Sequence, residues 1–210
     1  MQKAPMRSLG DVLYNFHWIV RGEAARSAQA WAGFLGPFLR AHDIASVINL
    51  RGANPRWRWW HYERSVCANL GVQHCDVKVN SRNLPTRELL LGMLDAFDAA
   101  KRPFLIKCSG GQDRTSFSAA LYLLHMQGLE ARDAAEGQFA RWPYLHLPRR
   151  QQRWLKLFLP YLEEQIGRRS LRAWLVEEYR PENFKAWLEA EGFGDSFRTI
   201  QKPIHARRAA

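Results

Sequence analysis

One short stretch of the 210-residue chain combines a nucleophile, glycines and a guanidinium: Lys107-Cys-Ser-Gly-Gly-Gln-Asp-Arg-Thr115, with five residues between Cys108 and Arg114. Glycines let the successive backbone N–H groups of Ser109, Gly110, Gly111 and Gln112 turn inward on one centre. A helix beginning directly afterwards adds unpaired N–H groups and the positive end of its dipole, so the loop is shaped to hold a phosphate-sized anion. A thiol at such a place, beside Arg114 and Lys107, loses its proton well below its ordinary value of about 8.5 because positive potential stabilises the thiolate. Arg114 offers phosphoryl oxygens a planar, two-pronged donor set that follows their charge into a transition state. Thr115 is placed to stabilise the sulfur as a leaving group. Asp113 has two readings of equal weight, proton donor to a leaving oxygen or helix-start carboxylate that balances the dipole. The chemistry calls for no metal and no cofactor.

Such a loop needs a strand to deliver Cys108 and a helix to receive it. Residues 103–107 form a short apolar run that reads as a buried strand, and residues 44–50 and 72–79 read the same way. Helical spacing covers residues 26–41, 56–70, 86–100 behind the start signal Pro85-Thr86, 113–127 up to Gly128, and 130–140. The alternation predicts an α/β fold, a central, largely parallel sheet flanked by helices, with ligands bound beyond the carboxyl ends of the strands. Further on, Arg172-Ala-Trp-Leu-Val-Glu-Glu-Tyr and Lys185-Ala-Trp-Leu-Glu-Ala-Glu-Gly-Phe repeat a pattern on either side of Arg180-Pro181, which predicts two amphipathic helices docking through the same aromatic anchor. No linker is visible. The expected organisation is one domain over residues 1–210, with a core at about 13–145 and a helical C-terminal extension at about 148–195.

The loop resembles the signature of the protein tyrosine/dual-specificity phosphatase superfamily: a histidine, then Cys-x-x-Gly-x-x-Arg, then Ser or Thr. Cys108, Gly111, Arg114 and Thr115 match it. Within that superfamily the chain is similar to bacterial dual-specificity-like phosphatases at Ala25-Arg-Ser-Ala-Gln29, at Val47-Ile-Asn-Leu-Arg51-Gly52 and in the Gly-Gln-Asp-Arg-Thr form of the loop, over roughly residues 13–145. The resemblance implies cysteine-dependent, metal-independent hydrolysis of phosphomonoesters through a cysteinyl-phosphate intermediate. Its implied substrates are phosphotyrosine or phosphoserine/threonine protein, or an inositol or lipid phosphate. A rhodanese-like sulfurtransferase also uses an anion-binding cysteine loop, but one typically a residue shorter.

Two features depart from the family pattern. Lys107 stands where the family has histidine. The family's general acid, an aspartate about thirty residues before the cysteine, has only Asp76 as a counterpart, 32 residues before Cys108. Asp76 falls inside the expected strand 72–79, short of its carboxyl end. The following loop, Asn80-Ser-Arg-Asn-Leu-Pro85, contains no carboxylate. The alternative expectation is therefore a phosphate-binding pseudophosphatase module of low turnover.

A net charge of +11 and a pI near 10.1 predict an anionic partner, either phosphorylated protein or a polyanionic phosphorylated small molecule or lipid, with peripheral membrane contact as a further option. Nucleic acid ranks last, since no recognition motif accompanies the charge. Arg56-Trp-Arg-Trp-Trp-His-Tyr-Glu-Arg64 interleaves cations with aromatics and is expected to be a helix packing its indoles on the core. Arg82 and Arg87 are candidate contacts to a second phosphate. Cys67, Cys75 and Cys108 have neither CxxC nor Cys/His metal spacing and are expected as reduced thiols, with a reversible disulfide to an oxidised Cys108 as a weaker option. His74, His125 and His146 lack metal-ligand company. The N-terminus lacks an apolar h-region and no apolar run approaches the ~18 residues of a membrane span, so the default location is the cytoplasm.

Overall fold

The computed structural model describes residues 8–31 and 33–202. Five strands, β1 (His17–Val20), β2 (Ala24–Ser27), β3 (Ser46–Asn49), β4 (Gln73–Asp76) and β5 (Phe104–Lys107), form one sheet in the order β1-β2-β5-β3-β4. β1 runs antiparallel to β2, and the pairs β2/β5, β5/β3 and β3/β4 are parallel. β2, β3 and β5 are buried along their whole length, as strands covered by helices on both faces must be. β5 is therefore central, and the segments after β2, β3 and β5 emerge side by side at one sheet edge.

The helices are α1 (Leu9–Leu13), α2 (Leu35–Ala41), α3 (Arg58–Asn69), α4 (Arg87–Ala99), α5 (Asp113–Gln127), α6 (Arg132–Gly137), α7 (Trp154–Ile166), α8 (Leu171–Glu177) and α9 (Pro181–Ala190). Side chains alternate across a strand, and the sheet accordingly feeds two cores. Ile48, Ile106 and Cys108 pack with α4, α5 and the C-terminal helices, while Ala25, Val47 and Leu105 pack with Leu35, Phe38 and Leu39 of α2 and Cys67 of α3. Trp154, Phe158, Trp174, Tyr179 and Phe184 of the C-terminal part are all buried, and Trp154 meets Phe117 of α5 edge-on at 5.2 Å between ring centroids. The shared aromatic anchor holds for Trp174, which is buried, and only partly for Trp187. Among the described residues no helix is long and apolar enough to cross a membrane.

Two expectations need correction. The helix expected over 26–41 is confined to Leu35–Ala41, and Ala24–Ser27 is a strand. The helical spacing of Trp31, Phe34, Leu35 and Phe38 hid the boundary, and Trp31 and Phe34 are in fact exposed. The strand expected over 72–79 ends at Asp76, because its partner β3 ends at Asn49, directly opposite. Asp76 thus lies at the carboxyl end of its strand and not below it.

Candidate active site

β5 ends at Lys107 and α5 begins at Asp113, leaving Cys108–Gln112 as the turn between a central strand and a helix start. The turn owes its shape to groups that hold its carbonyls outward. Asn15 Nδ2 donates to the carbonyl oxygens of Gly110, at 3.5 Å, and Gly111, at 3.1 Å. Arg26 Nη2 donates to the same Gly111 oxygen at 3.0 Å. With the carbonyls turned out, the amides turn in, and the backbone amides of Gln112 and Gly110 help to lower the pKa of the Cys108 thiol. Gly111 has φ of +64°, and a Cβ there would stand 2.6 Å from the backbone nitrogen of Ala28. Only glycine fits both the left-handed backbone and the close approach to the end of β2.

Cys108 is 3% exposed, and Thr115 Oγ1 donates to its sulfur at 3.0 Å. Burial pushes the thiol pKa up, but the Arg114 guanidinium, the Thr115 hydroxyl and the Gln112 and Gly110 amides outweigh it, so the thiol titrates below its ordinary value. Arg114 Nη2 donates to Ser109 Oγ at 2.9 Å and Nη1 reaches the Leu50 carbonyl at 3.5 Å. Ser109 and Gly110 are exposed at the mouth. Arg26 props the turn from beneath. It is fully buried, donates through Nη1 to the carbonyl and side-chain oxygens of Gln138 and through Nη2 to Ser116 Oγ, and burial lowers its pKa to about 10.

Lys107, expected as a substrate contact, is not one. It follows Leu105 onto the opposite face of the sheet from Cys108 and is 2% exposed. Its ammonium lies 2.5 Å from Glu63 Oε2 and donates to Gln29 Oε1 at 2.8 Å. Gln29 Nε2 donates to Glu63 Oε2 at 2.7 Å, and His74 Nε2 sits 2.8 Å from Oε1. Burial raises the Glu63 pKa, but His74, Lys107 and Gln29 together bring it below the ordinary carboxylate value. The lysine thus braces the base of the loop through a buried ion pair, and Gln29 passes that brace on, its N–H donating to the Ser109 carbonyl at 3.2 Å.

Asp76 is committed elsewhere: Asn49 Nδ2 donates to one of its oxygens at 2.6 Å and Trp60 Nε1 to the other at 2.9 Å. Asp113 opens α5 beside Arg114. Gln152 Nε2 donates to its Oδ2 at 2.9 Å and to Ser81 Oγ at 3.0 Å, so one nitrogen of the C-terminal part joins Asp113 to the loop over residues 80–85. Its Oδ1 lies 3.3 Å from His146 Nδ1 but makes no aligned hydrogen bond.

The remaining candidates are explained by packing. Trp60 is buried, whereas Trp57 is 48% exposed and Trp59 lies half-buried under the Arg51 guanidinium, 3.6 Å from the ring centroid. Arg87 donates through Nε and Nη2 to the Tyr179 carbonyl, both at 3.1 Å, and so anchors the C-terminal part. His125 pairs with Asp98 at 2.8 Å. Burial raises the Cys67 pKa to about 12, with Glu63 adding to it. Cys75 sits two strands from β5, about 10 Å away at the usual strand spacing and beyond disulfide reach of Cys108. Among the described residues no group of three or more His, Cys, Asp or Glu is arranged to hold a metal ion. Sequence reasoning gave no role to Asn15, Arg26, Gln29, Glu63 or Gln152. Arg26 and Gln29 lay within the stretch that carried the resemblance, while Gln152 has no local signal at all.

No family model matches the chain, and no curated protein sequence does. Solved structures do. P. aeruginosa TpbA aligns with a TM-score of 0.56 at 14% identity, covering 84% of this chain and 92% of that one. Tk-PTP in its active form aligns at 0.53 and 23% identity, covering 72% and 97%. The core catalytic domain of the PP-IP phosphatase SIW14 from S. cerevisiae, in complex with citrate, aligns at 0.52 and 17% identity, covering 85% and 93%. This chain has the fold of these solved structures.

Proposed function

We propose that this chain, built on that fold, is a cysteine-dependent phosphatase that hydrolyses phosphomonoesters through a cysteinyl-phosphate intermediate without a metal. The observation that carries the reading is the Cys108 sulfur at the base of the loop, receiving the Thr115 hydroxyl at 3.0 Å beside Arg114, with its pKa depressed against its own burial.

The residues then have these roles. The inward amides of Ser109 to Gln112 and the Arg114 fork hold three phosphoryl oxygens. The Cys108 thiolate attacks phosphorus in line; the S–P bond forms as the P–O bond to the leaving group breaks. Asp113 gives the leaving oxygen its proton. In support, Asp113 shares the Gln152 nitrogen with Ser81, which puts its carboxyl beside the loop where the family's acid is expected. Water then attacks phosphorus, Asp113 takes the water's proton, and the S–P bond breaks with the returning thiolate stabilised by Thr115, releasing orthophosphate.

The test is turnover of para-nitrophenyl phosphate in chelator and reductant. Wild type turns over; Cys108→Ser abolishes turnover, and Arg114→Lys lowers kcat/KM by about 10²-fold or more through loss of the two-pronged contact. Asp113→Asn slows esters with poor leaving groups, such as phenyl phosphate, far more than para-nitrophenyl phosphate. Equal loss on both would remove Asp113 as the acid. Phosphate-analogue binding with no turnover would replace the enzyme by a phosphate-binding module.

A further inference from the structure

Arg51 is a guanidinium the reaction above does not use. Its backbone is pinned, its N–H donating to Asn49 Oδ1 at 3.1 Å. Its side chain lies flat, 3.6 Å from the ring centroid of Trp59 and 5.2 Å from that of Trp57. Its one hydrogen bond to a side chain is a long one, Nη1 to Gln29 Oε1 at 3.4 Å, on an oxygen already occupied by Lys107. Arg114 meanwhile reaches the carbonyl of the preceding residue, Leu50, so the two guanidiniums are neighbours at the mouth of the loop. The partners of both are neutral oxygens and aromatic faces; among the described residues neither has a carboxylate within ion-pair distance. Burial and the charge of Arg114 lower the proton affinity of Arg51, while the charges of Glu63 and Cys108 oppose them in part. Two adjacent, preorganised cations repel each other, and an anion between them relieves that repulsion. Arg114 is matched by the phosphoryl group on Cys108. Arg51 has no such match.

We propose that Arg51, held on Trp59, forms a second anion subsite, so that the preferred substrate carries a second phosphoryl group next to the one transferred. This rests on the phosphatase reading above and specifies its substrate class as vicinal bisphosphate esters or, by the same displacement at phosphorus, diphosphates. The shared chemistry is a second phosphoryl group held close beside the transferred one. With a diphosphate, the bond broken is the P–O bond to the bridging oxygen, and the monoester leaves with the proton from Asp113. With a vicinal bisphosphate, an ester P–O bond breaks and the alcohol leaves with that proton. In both, water regenerates the thiolate and releases orthophosphate.

The experiment compares kcat/KM on matched pairs, a nucleoside diphosphate against its monophosphate and a vicinal inositol bisphosphate against an inositol monophosphate, for wild type, Arg51→Gln and Arg51→Lys. Wild type is expected to prefer the doubly phosphorylated member of at least one pair by about 10-fold or more, the worth of one charge-assisted contact. Which pair shows the preference distinguishes anhydride from ester. Arg51→Gln, whose amide keeps a planar group over Trp59, collapses the ratio by raising KM with kcat nearly unchanged; Arg51→Lys restores part of it. No wild-type preference in either pair, or equal loss on both members, overturns the subsite. Binding separates this from failure of the phosphatase reading. Calorimetry on Cys108→Ser with pyrophosphate and orthophosphate is expected to give tighter pyrophosphate binding that Arg51→Gln in the same background removes, whether or not wild type turns over. An unchanged pyrophosphate affinity refutes the proposal.

Discussion

Thr115 joins Arg114 in sustaining the charge on Cys108, which burial opposes. Burial raises the thiol pKa, and the hydroxyl is one of four groups that reverse the sign. Because the pKa is depressed, the thiolate is present above that lowered value and is lost as pH falls through it, so kcat/KM rises with pH along that limb. Removing the hydroxyl moves the limb upward. Thr115→Ala is expected to shift it by about 1–2 pH units, the equivalent of one hydrogen bond to a charged group, and to slow hydrolysis of the cysteinyl phosphate. The check is the pH profile of kcat/KM beside the pH dependence of Cys108 alkylation by iodoacetate. Both must move together, and a profile that stays in place would mean that Arg114 and the amides suffice. Cys67, with its pKa at about 12, serves as the unreactive internal control.

At the scale of elements, the loop is moulded against the end of β2. Gly111→Ala places a methyl group 2.6 Å from Ala28 N on a backbone with φ of +64°, so the loop must move or the strand end must yield. The expected cost is about 1–3 kcal/mol, with loss of phosphate binding. It is measured as a lower thermal midpoint that phosphate no longer raises; a variant still stabilised by phosphate would show the close approach to be dispensable. The same contact explains what the sequence made legible. β3 and β5 announce themselves as short apolar runs, β4 (Gln73–Asp76) only through the valines Val72, Val77 and Val79 around it, and the Cys108–Thr115 loop is local, so spacing reveals it. β2 does not, since Ala24-Ala-Arg-Ser27 lacks β-branched residues and includes an arginine that no periodicity marks as buried. Asn15, 95 residues before Gly110, and Gln152, 39 after Asp113, reach the loop only through tertiary folding. Lys107 looked like a substrate contact because proximity in sequence says nothing of the sheet face a side chain takes.

At the scale of the whole molecule, the C-terminal helices share one core with the sheet, Phe104 and Phe117 clustering with Trp154, Trp174 and Phe184. We expect a single cooperative unfolding transition, with far-ultraviolet and tryptophan signals coincident. Trp154→Ala should lower stability by about 3–5 kcal/mol, measured by denaturant unfolding. Separate transitions for the two signals would make the extension a unit of its own. Trp154 also donates its indole N–H to the Ser81 carbonyl, two residues from the Gln152 clamp on Asp113. A ribosome emits this chain from the amino end, so Cys108, Asp113 and Arg114 all emerge well before Gln152 and Trp154. The growing polypeptide therefore carries Cys108 and Arg114 before Gln152 and Trp154, which tie Asp113 and the Ser81 loop together, have been made.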